Sequence, residues 1–303
     1  MKDPRFYYNG KRFVPSATTV LPEPDLKDWA AGCAVDYVKA NLINDIHCTE
    51  NTLDVSFDYA PARKAYRQLS TEAADYGTYI HALCQWSLEN NIQLESKHEM
   101  TQLFMDGLWS WKTKRHVIVI AMESEVTTDL YGGRLDLVCE MDSFWMTKAW
   151  CKKYSVEWYK GIDKQRVVVL VDFKTGKSAY YSNWKYQLAG YRQAWNRKVE
   201  NDGKALFGWE LATDKNCGDV YTEVATYCVG KIIRYHGILK FNKDTMKVNY
   251  KDFTIYDATR YKTLDKRKEN GKLPTEKYIR DYERDRKAFN AYVSQWWLTN
   301  IGE

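Results

Sequence analysis

Apolar positions recur at helical spacing in some stretches of this chain and alternate or run unbroken in others. Met100, Leu103, Phe104, Leu108 and Trp111 keep the helical period and predict a helix over 97–112. Residues 71–89 and 183–199 read the same way, the second with Asn183 as N-cap, and Asp25 can cap a helix reaching about Ala40. A last helix is predicted over 276–299, where Phe289, Tyr292, Val293, Trp296 and Trp297 share one face. Strand patterns occupy Val117–Thr127, Gly132–Met141 and Arg166–Lys174, and further strands are expected over 204–212, 219–228, 231–241 and 246–256. At the start, two short aromatic arms flank Asn9-Gly10, a strong hairpin signal. The middle of the chain reads helix, three strands, helix, strand, the pattern of a compact α/β protein. An N-terminal hairpin and helix and a C-terminal strand-and-helix extension complete it.

Composition adds limits. None of the six prolines falls between Pro61 and Pro274, and no Gly/Ser-rich linker or fixed-period repeat breaks the 303 residues. A single domain over 1–303 is therefore expected: an N-terminal extension to 70, a core over 71–212 and an extension over 213–303. The longest apolar runs, Val117–Met122 and Val167–Val171, are too short to span a bilayer, and the N-terminus has no apolar leader. Seven scattered cysteines without a C-x-x-C pair suit free thiols in a reducing cytoplasm. The net charge of +5 and the 12 Trp and 23 Tyr are compatible with nucleic acid, since cations displace phosphate counterions and rings stack on bases.

Candidate chemistry concentrates in Val167-Val-Val-Leu-Val171-Asp172-Phe173-Lys174. Alternation puts Asp172 and Lys174 on one face of the strand, about 7 Å apart. Taken alone, the pair reads more readily as a strand-end ion pair at the solvent boundary. The preceding strand places Asp136 inside an apolar run, where a charge is costly unless paired or bound to a cation. One strand earlier, Glu123 and Glu125 share a face. Acids delivered by three neighbouring strands make a hard-oxygen site suited to Mg²⁺ or Mn²⁺. On the flanking helices His81 and Gln85 lie one turn apart, as do Gln187 and Tyr191.

The ordered set Gly77-x-x-x-His81, Gly133-x-x-Asp136, Asp172-x-Lys174 and Gln187-x-x-x-Tyr191 resembles the PD-(D/E)XK nuclease superfamily. It is most similar to the RecB-type branch, which includes phage-encoded exonucleases and mitochondrial genome maintenance exonuclease. Pro15-Ser16-Ala-Thr-Thr-Val-Leu21 with Trp29 is a weaker echo of the same branch, and the chain beyond about 212 carries no resemblance. The resemblance implies a restriction-endonuclease-like core, a mixed central β-sheet flanked by helices, and a metal-dependent DNA nuclease. An exonuclease on DNA ends or single strands is favoured; a structure-selective endonuclease, or a non-catalytic DNA-binding or assembly protein on the same fold, are the alternatives. It further implies that Asp136, Asp172 and His81 ligate Mg²⁺ or Mn²⁺, with Glu123 (or Glu125) on or beside the ion. Lys174 would orient or help deprotonate the attacking water, and Gln187 and Tyr191 would order the site and touch the DNA backbone. DNA is then the expected partner, with a replication or recombination protein as a second candidate.

Two departures stand out. Gln85 replaces a glutamate that many members carry four residues after the histidine. Residues 141–165 read as an insertion holding Phe144, Trp145, Trp150, Tyr154, Trp158 and Tyr159 among five lysines. Its Trp145, Trp150 and Trp158, with Lys177 nearby, are candidate DNA contacts, although a hairpin packing its rings on the core fits the same pattern. Gly176-Lys177-Ser178 lacks the upstream glycine of a phosphate loop, since position 171 is Val. No late cysteine cluster exists, so no iron–sulfur cluster is expected.

Overall fold

The computed structural model describes residues 5–23, 26–41, 46–48, 53–55, 59–147, 164–175, 181–207, 228, 230–233, 235–243, 245–252 and 274–301. The chain divides into two compact units, Glu23–Ile80 and the remainder. The smaller unit holds α1 (Lys27–Asn41), a two-stranded pair formed by β3 (Ile46–Cys48) and β4 (Leu53–Val55), and the first turns of α2 (Tyr59–Glu89). α2 starts twelve residues before the expected position, with Pro61 in its first turn, where a missing N–H costs nothing. The segment 59–70 is rich in Ala, Arg, Lys and Gln, good helix formers whose polar face hides the period.

The larger unit is built on a five-stranded mixed sheet in the order β5-β6-β7-β8-β9. Its strands are β5 (Ile118–Thr127), β6 (Gly132–Thr147), β7 (Lys164–Lys174), β8 (Tyr235–Asn242) and β9 (Lys247–Asp252). All neighbours are antiparallel except β7 and β8, and that parallel pair needs a crossover, which includes helix α4 (Tyr181–Phe207). The Val167–Val171 run is buried throughout because the sheet is covered on both faces. On one face Val138, Leu170 and Ile238 join Leu188 and Trp195 of α4 and Phe289 and Val293 of α5 (Pro274–Ile301). On the other, Phe173 and Phe241 meet edge to face, and Phe241 meets Phe104 of α3 (Glu99–Arg115) in the same way.

Several boundaries differ from the sequence reading. α4 begins at Tyr181, not after an Asn183 cap; the Asn183 amide instead donates to the Pro22 carbonyl at 2.9 Å. α4 also runs to Phe207, so the strand expected from 204 is helical there, because Lys204 and Ala205 continue a polar, helix-forming stretch. α3 ends on His116 in the left-handed region (φ 49°), whose N–H and that of Val117 close the last turn. The strand expected over 219–228 lies, but for its last residue, outside the described residues. β6 and β7 continue into the expected insertion until Thr147 pairs with Lys164. At the N-terminus β1 (Phe6–Tyr8) and β2 (Phe13–Pro15) form the expected antiparallel hairpin. Among the described residues, no helix is long and apolar enough to cross a membrane.

Candidate metal centre

Strand register gathers the acids. The pairing that sets Met122 against Leu137 and Ser124 against Leu135 puts Glu123 across from Asp136. The pairing of Leu137 with Val171 carries one step further to set Asp136 across from Asp172. Glu123, Asp136 and Asp172 therefore form one row across three strands. From α2, His81 reaches the same place: ligand atoms of His81, Glu123 and Asp136 all lie within 4.8 Å of one another and could hold a metal ion.

The backbone of one residue aligns two of these groups. Beyond Val171 the Phe173 N–H donates to the Asp136 carboxylate at 2.7 Å, and the Phe173 carbonyl lies 2.9 Å from His81 Nε2. With Nε2 donating to that carbonyl, the His81 Nδ1 lone pair faces Asp136 Oδ2, 3.5 Å away. The Phe173 ring meets the imidazole edge to face, with centroids 5.6 Å apart. This role of Phe173 has no sequence signal, since it is performed by backbone atoms.

The electrostatics fit a cation. Burial pushes the Asp136 carboxyl well above the usual range; the Asp172 charge adds to this, and Lys174 and the Phe173 N–H only partly oppose it. Glu123 is also raised, by burial first, with Arg134 opposing and Asp172 and Glu89 adding. Burial lowers His81, favouring the neutral, ligating imidazole. One nitrogen and two carboxylates, with oxygen-rich surroundings, match the preferences of Mg²⁺ or Mn²⁺. Glu123 itself has φ 45°, a left-handed conformation costing a non-glycine residue about 1–3 kcal/mol.

Each expected site residue can now be located. Lys174 ion-pairs with buried Asp172, so this acid is held beside the three clustered groups by the lysine. Burial would lower the Lys174 pKa, but Asp172 and Asp136 outweigh it, and the ammonium is held charged. Glu125, the alternative to Glu123, lies opposite Arg134 and pairs with it at 3.1 Å in an exposed position. Gln187 donates to the Tyr191 hydroxyl at 3.1 Å, and both side chains are buried in the core beneath β6. A Cβ on Gly133 would lie 3.0 Å from Tyr191 Cδ1 and Cζ and closer still to Cε1, so the Gly133 and Tyr191 motifs are two sides of one contact. Gln85 donates to Glu89, one turn along α2, at 3.0 Å. Trp145 lies on β6, its side chain not among those described; Trp150, Trp158 and Lys177 lie outside the described residues. No protein-family model and no curated protein sequence matches this chain.

Proposed function

We propose that this chain is a metal-dependent deoxyribonuclease that hydrolyses phosphodiester bonds, most simply as an exonuclease on DNA ends or single strands. The observation that carries the reading is the row Glu123–Asp136–Asp172 with His81 above it and Lys174 beside it. His81, Glu123 and Asp136 would hold the ion, with Asp172 within electrostatic reach. A divalent cation in such a set supplies Lewis acidity toward a phosphoryl oxygen and makes water more acidic. The protein's own groups do the rest. The Phe173 backbone carbonyl fixes the His81 tautomer, and its N–H holds the Asp136 carboxylate. Lys174, already charged, stabilises negative charge growing on the phosphate; it is poorly suited to take a proton. Gln187 and Tyr191 act as positioning residues beneath Gly133.

The test is incubation of end-labelled linear and closed circular DNA, single- and double-stranded, with Mg²⁺ or Mn²⁺, using wild type and Lys174→Ala. Cleavage of linear DNA by wild type alone is expected. No cleavage of any substrate, or equal cleavage by the variant, would refute the reading, and cutting of closed circles would make the enzyme an endonuclease.

A further inference from the structure

The β1–β2 hairpin turns one face to the core and the other to solvent. Tyr7 and Val14 are opposite each other, and Val14 is fully buried. Tyr8 and Phe13, the next pair, point the other way, with rings 5.4 Å apart and 59% and 67% exposed. Phe6, also exposed, extends the aromatic surface to Trp296, 6.2 Å away between centroids. A cross-strand ring pair does stabilise a hairpin, by up to about 1 kcal/mol. This hairpin is held by much else. The Asn9 side chain accepts from the Lys11 and Arg12 N–H groups and donates to the Thr128 carbonyl, and the Ala17 N–H donates to the Gly132 carbonyl at 2.7 Å. The Tyr8 hydroxyl donates to the Gly10 carbonyl at 3.1 Å, and the outer faces of both rings are open to a ligand.

Charge points to what that is. Residues 4–22 contain Arg5, Lys11 and Arg12 and no carboxylate. The Arg12 guanidinium sits 4.5 Å from the Trp297 ring centroid and donates to the Asp129 carbonyl at 2.7 Å, which fixes a cation on the residue next to Phe13. Position agrees. The hairpin itself is anchored near the acids: Tyr7, on its inner face, has Cβ 2.7 Å from where a Gly132 side chain would start, and Asp136 is four residues further along that strand, about 13 Å. Tyr7 feels the site's charges: burial raises its phenol most, Arg134 and Arg5 lower it, and Glu125 and Glu123 raise it. The neighbouring cleft of about 350 Å³ is less suited to phosphate, since Glu125, Asp129 and Asp202 outnumber Arg197 and Lys198 on its walls.

We propose that the outer face of this hairpin, Tyr8 and Phe13 flanked by Lys11 and Arg12, is a base-stacking subsite for single-stranded DNA close to the metal centre. The inference rests on the nuclease reading and adds where the substrate strand is held. Rings supply sequence-independent stacking, and the two cations meet the phosphates between the stacked bases.

Binding of fluorescein-labelled oligo(dT) and oligo(rU) to the full chain is measured by anisotropy in EDTA, and cleavage of the same oligo(dT) in Mn²⁺. Tyr8→Ala/Phe13→Ala is expected to weaken oligo(dT) binding about tenfold or more, and Tyr8→Trp/Phe13→Trp to preserve it. Photocrosslinking of 5-iododeoxyuridine DNA to wild type should map to Tyr8 or Phe13, a readout that a merely structural ring pair would not give. If the alanine variant fails to fold, the tryptophan variant and the crosslink decide. Wild type that binds and cleaves, with unchanged binding in the alanine variant and no hairpin crosslink, overturns the subsite and leaves the nuclease reading standing. Wild type that neither binds nor cleaves overturns both. Tighter binding of oligo(rU) than oligo(dT) overturns the assignment to DNA.

Discussion

Gly133→Ala tests the contact that links two of the motifs. The added methyl would stand 3.0 Å from Tyr191 Cδ1 and Cζ and closer to Cε1, where carbon atoms prefer about 3.5–4.0 Å. The ring has little room to retreat, because Tyr191 is 5% exposed, sits in the core with Leu188 and Phe289, and is tied to Gln187. Overpacking of this kind costs about 1–3 kcal/mol. Losing a glycine from the unfolded chain returns about 0.4–1 kcal/mol. The net is about 1–2 kcal/mol, or a fall in melting temperature of about 1.5–3 °C for a chain of this size. A double-mutant cycle followed by thermal melting isolates the ring. In a Tyr191→Ala background Gly133→Ala should be neutral or slightly stabilising, a coupling of at least about 1 kcal/mol. In a Tyr191→Phe background, where the ring remains, the full penalty should persist. Equal melting of Gly133→Ala and wild type, or the same penalty with Tyr191 truncated to alanine, would refute the reasoning.

Mn²⁺ should raise the melting temperature of wild type, by the equivalent of about 2.7 kcal/mol at a hundredfold excess over Kd, and should not raise that of Asp136→Asn or His81→Ala; equal shifts in all three would remove His81 and Asp136 from the centre. Lys174→Met should lower Mn²⁺-supported DNA cleavage by about two to three orders of magnitude while keeping the Mn²⁺ melting shift, and retained cleavage would show that the ammonium has no part in turnover. Far from the centre, Asp142 accepts from Arg166 at 3.0 Å and meets His116 Nδ1 at 2.7 Å. Burial would raise its carboxyl, but these two partners outweigh it and the net shift is downward. A lowered acid stabilises the fold above the ordinary carboxylate range and loses that contribution as pH falls. The melting gap between wild type and Asp142→Asn should therefore be full at neutral pH and close below about pH 4; a gap independent of pH would show the carboxylate's charge to be irrelevant.

The strand row was legible because alternation is a local property. An acid in an apolar strand announces itself at Asp136, and the Asp172–Lys174 pair follows from period two. Choosing between Glu123 and Glu125 was not a local matter. Both share a face, and only register shows Glu125 opposite Arg134 and Glu123 opposite Asp136. Gln187 and Tyr191 were correctly placed one turn apart, but their shared face lies in the core under Gly133, a depth that spacing alone does not give. The β3–β4 pair escaped notice because three-residue strands carry too few positions to display a period. The end of α3 escaped for another reason: His116 takes the left-handed position where glycine is the usual marker.

The centre is also where this fold departs from its most stable local choices. Asp136 is largely buried with a second acid across the strand, Glu123 holds a left-handed backbone inside β5, and Tyr191 is wedged under a glycine. The buried acid and the left-handed Glu123 each cost free energy. Lys174 neutralises part of the row, but its ammonium is paired with Asp172, leaving the raised carboxyls of Asp136 and Glu123 on the His81 side. A divalent cation at that point would favour the ionised carboxylates, so its binding and the stability of the fold must be coupled. If the proposed ion binds there, removing the charge at Asp136 should have opposite consequences with and without it: relief of an unfavourable burial in the metal-free protein and loss of a ligand in the metal-bound one. A carboxylate serving only as a strand-end ion pair would show just one sign. That sign reversal separates a metal centre from a structural salt bridge in this protein.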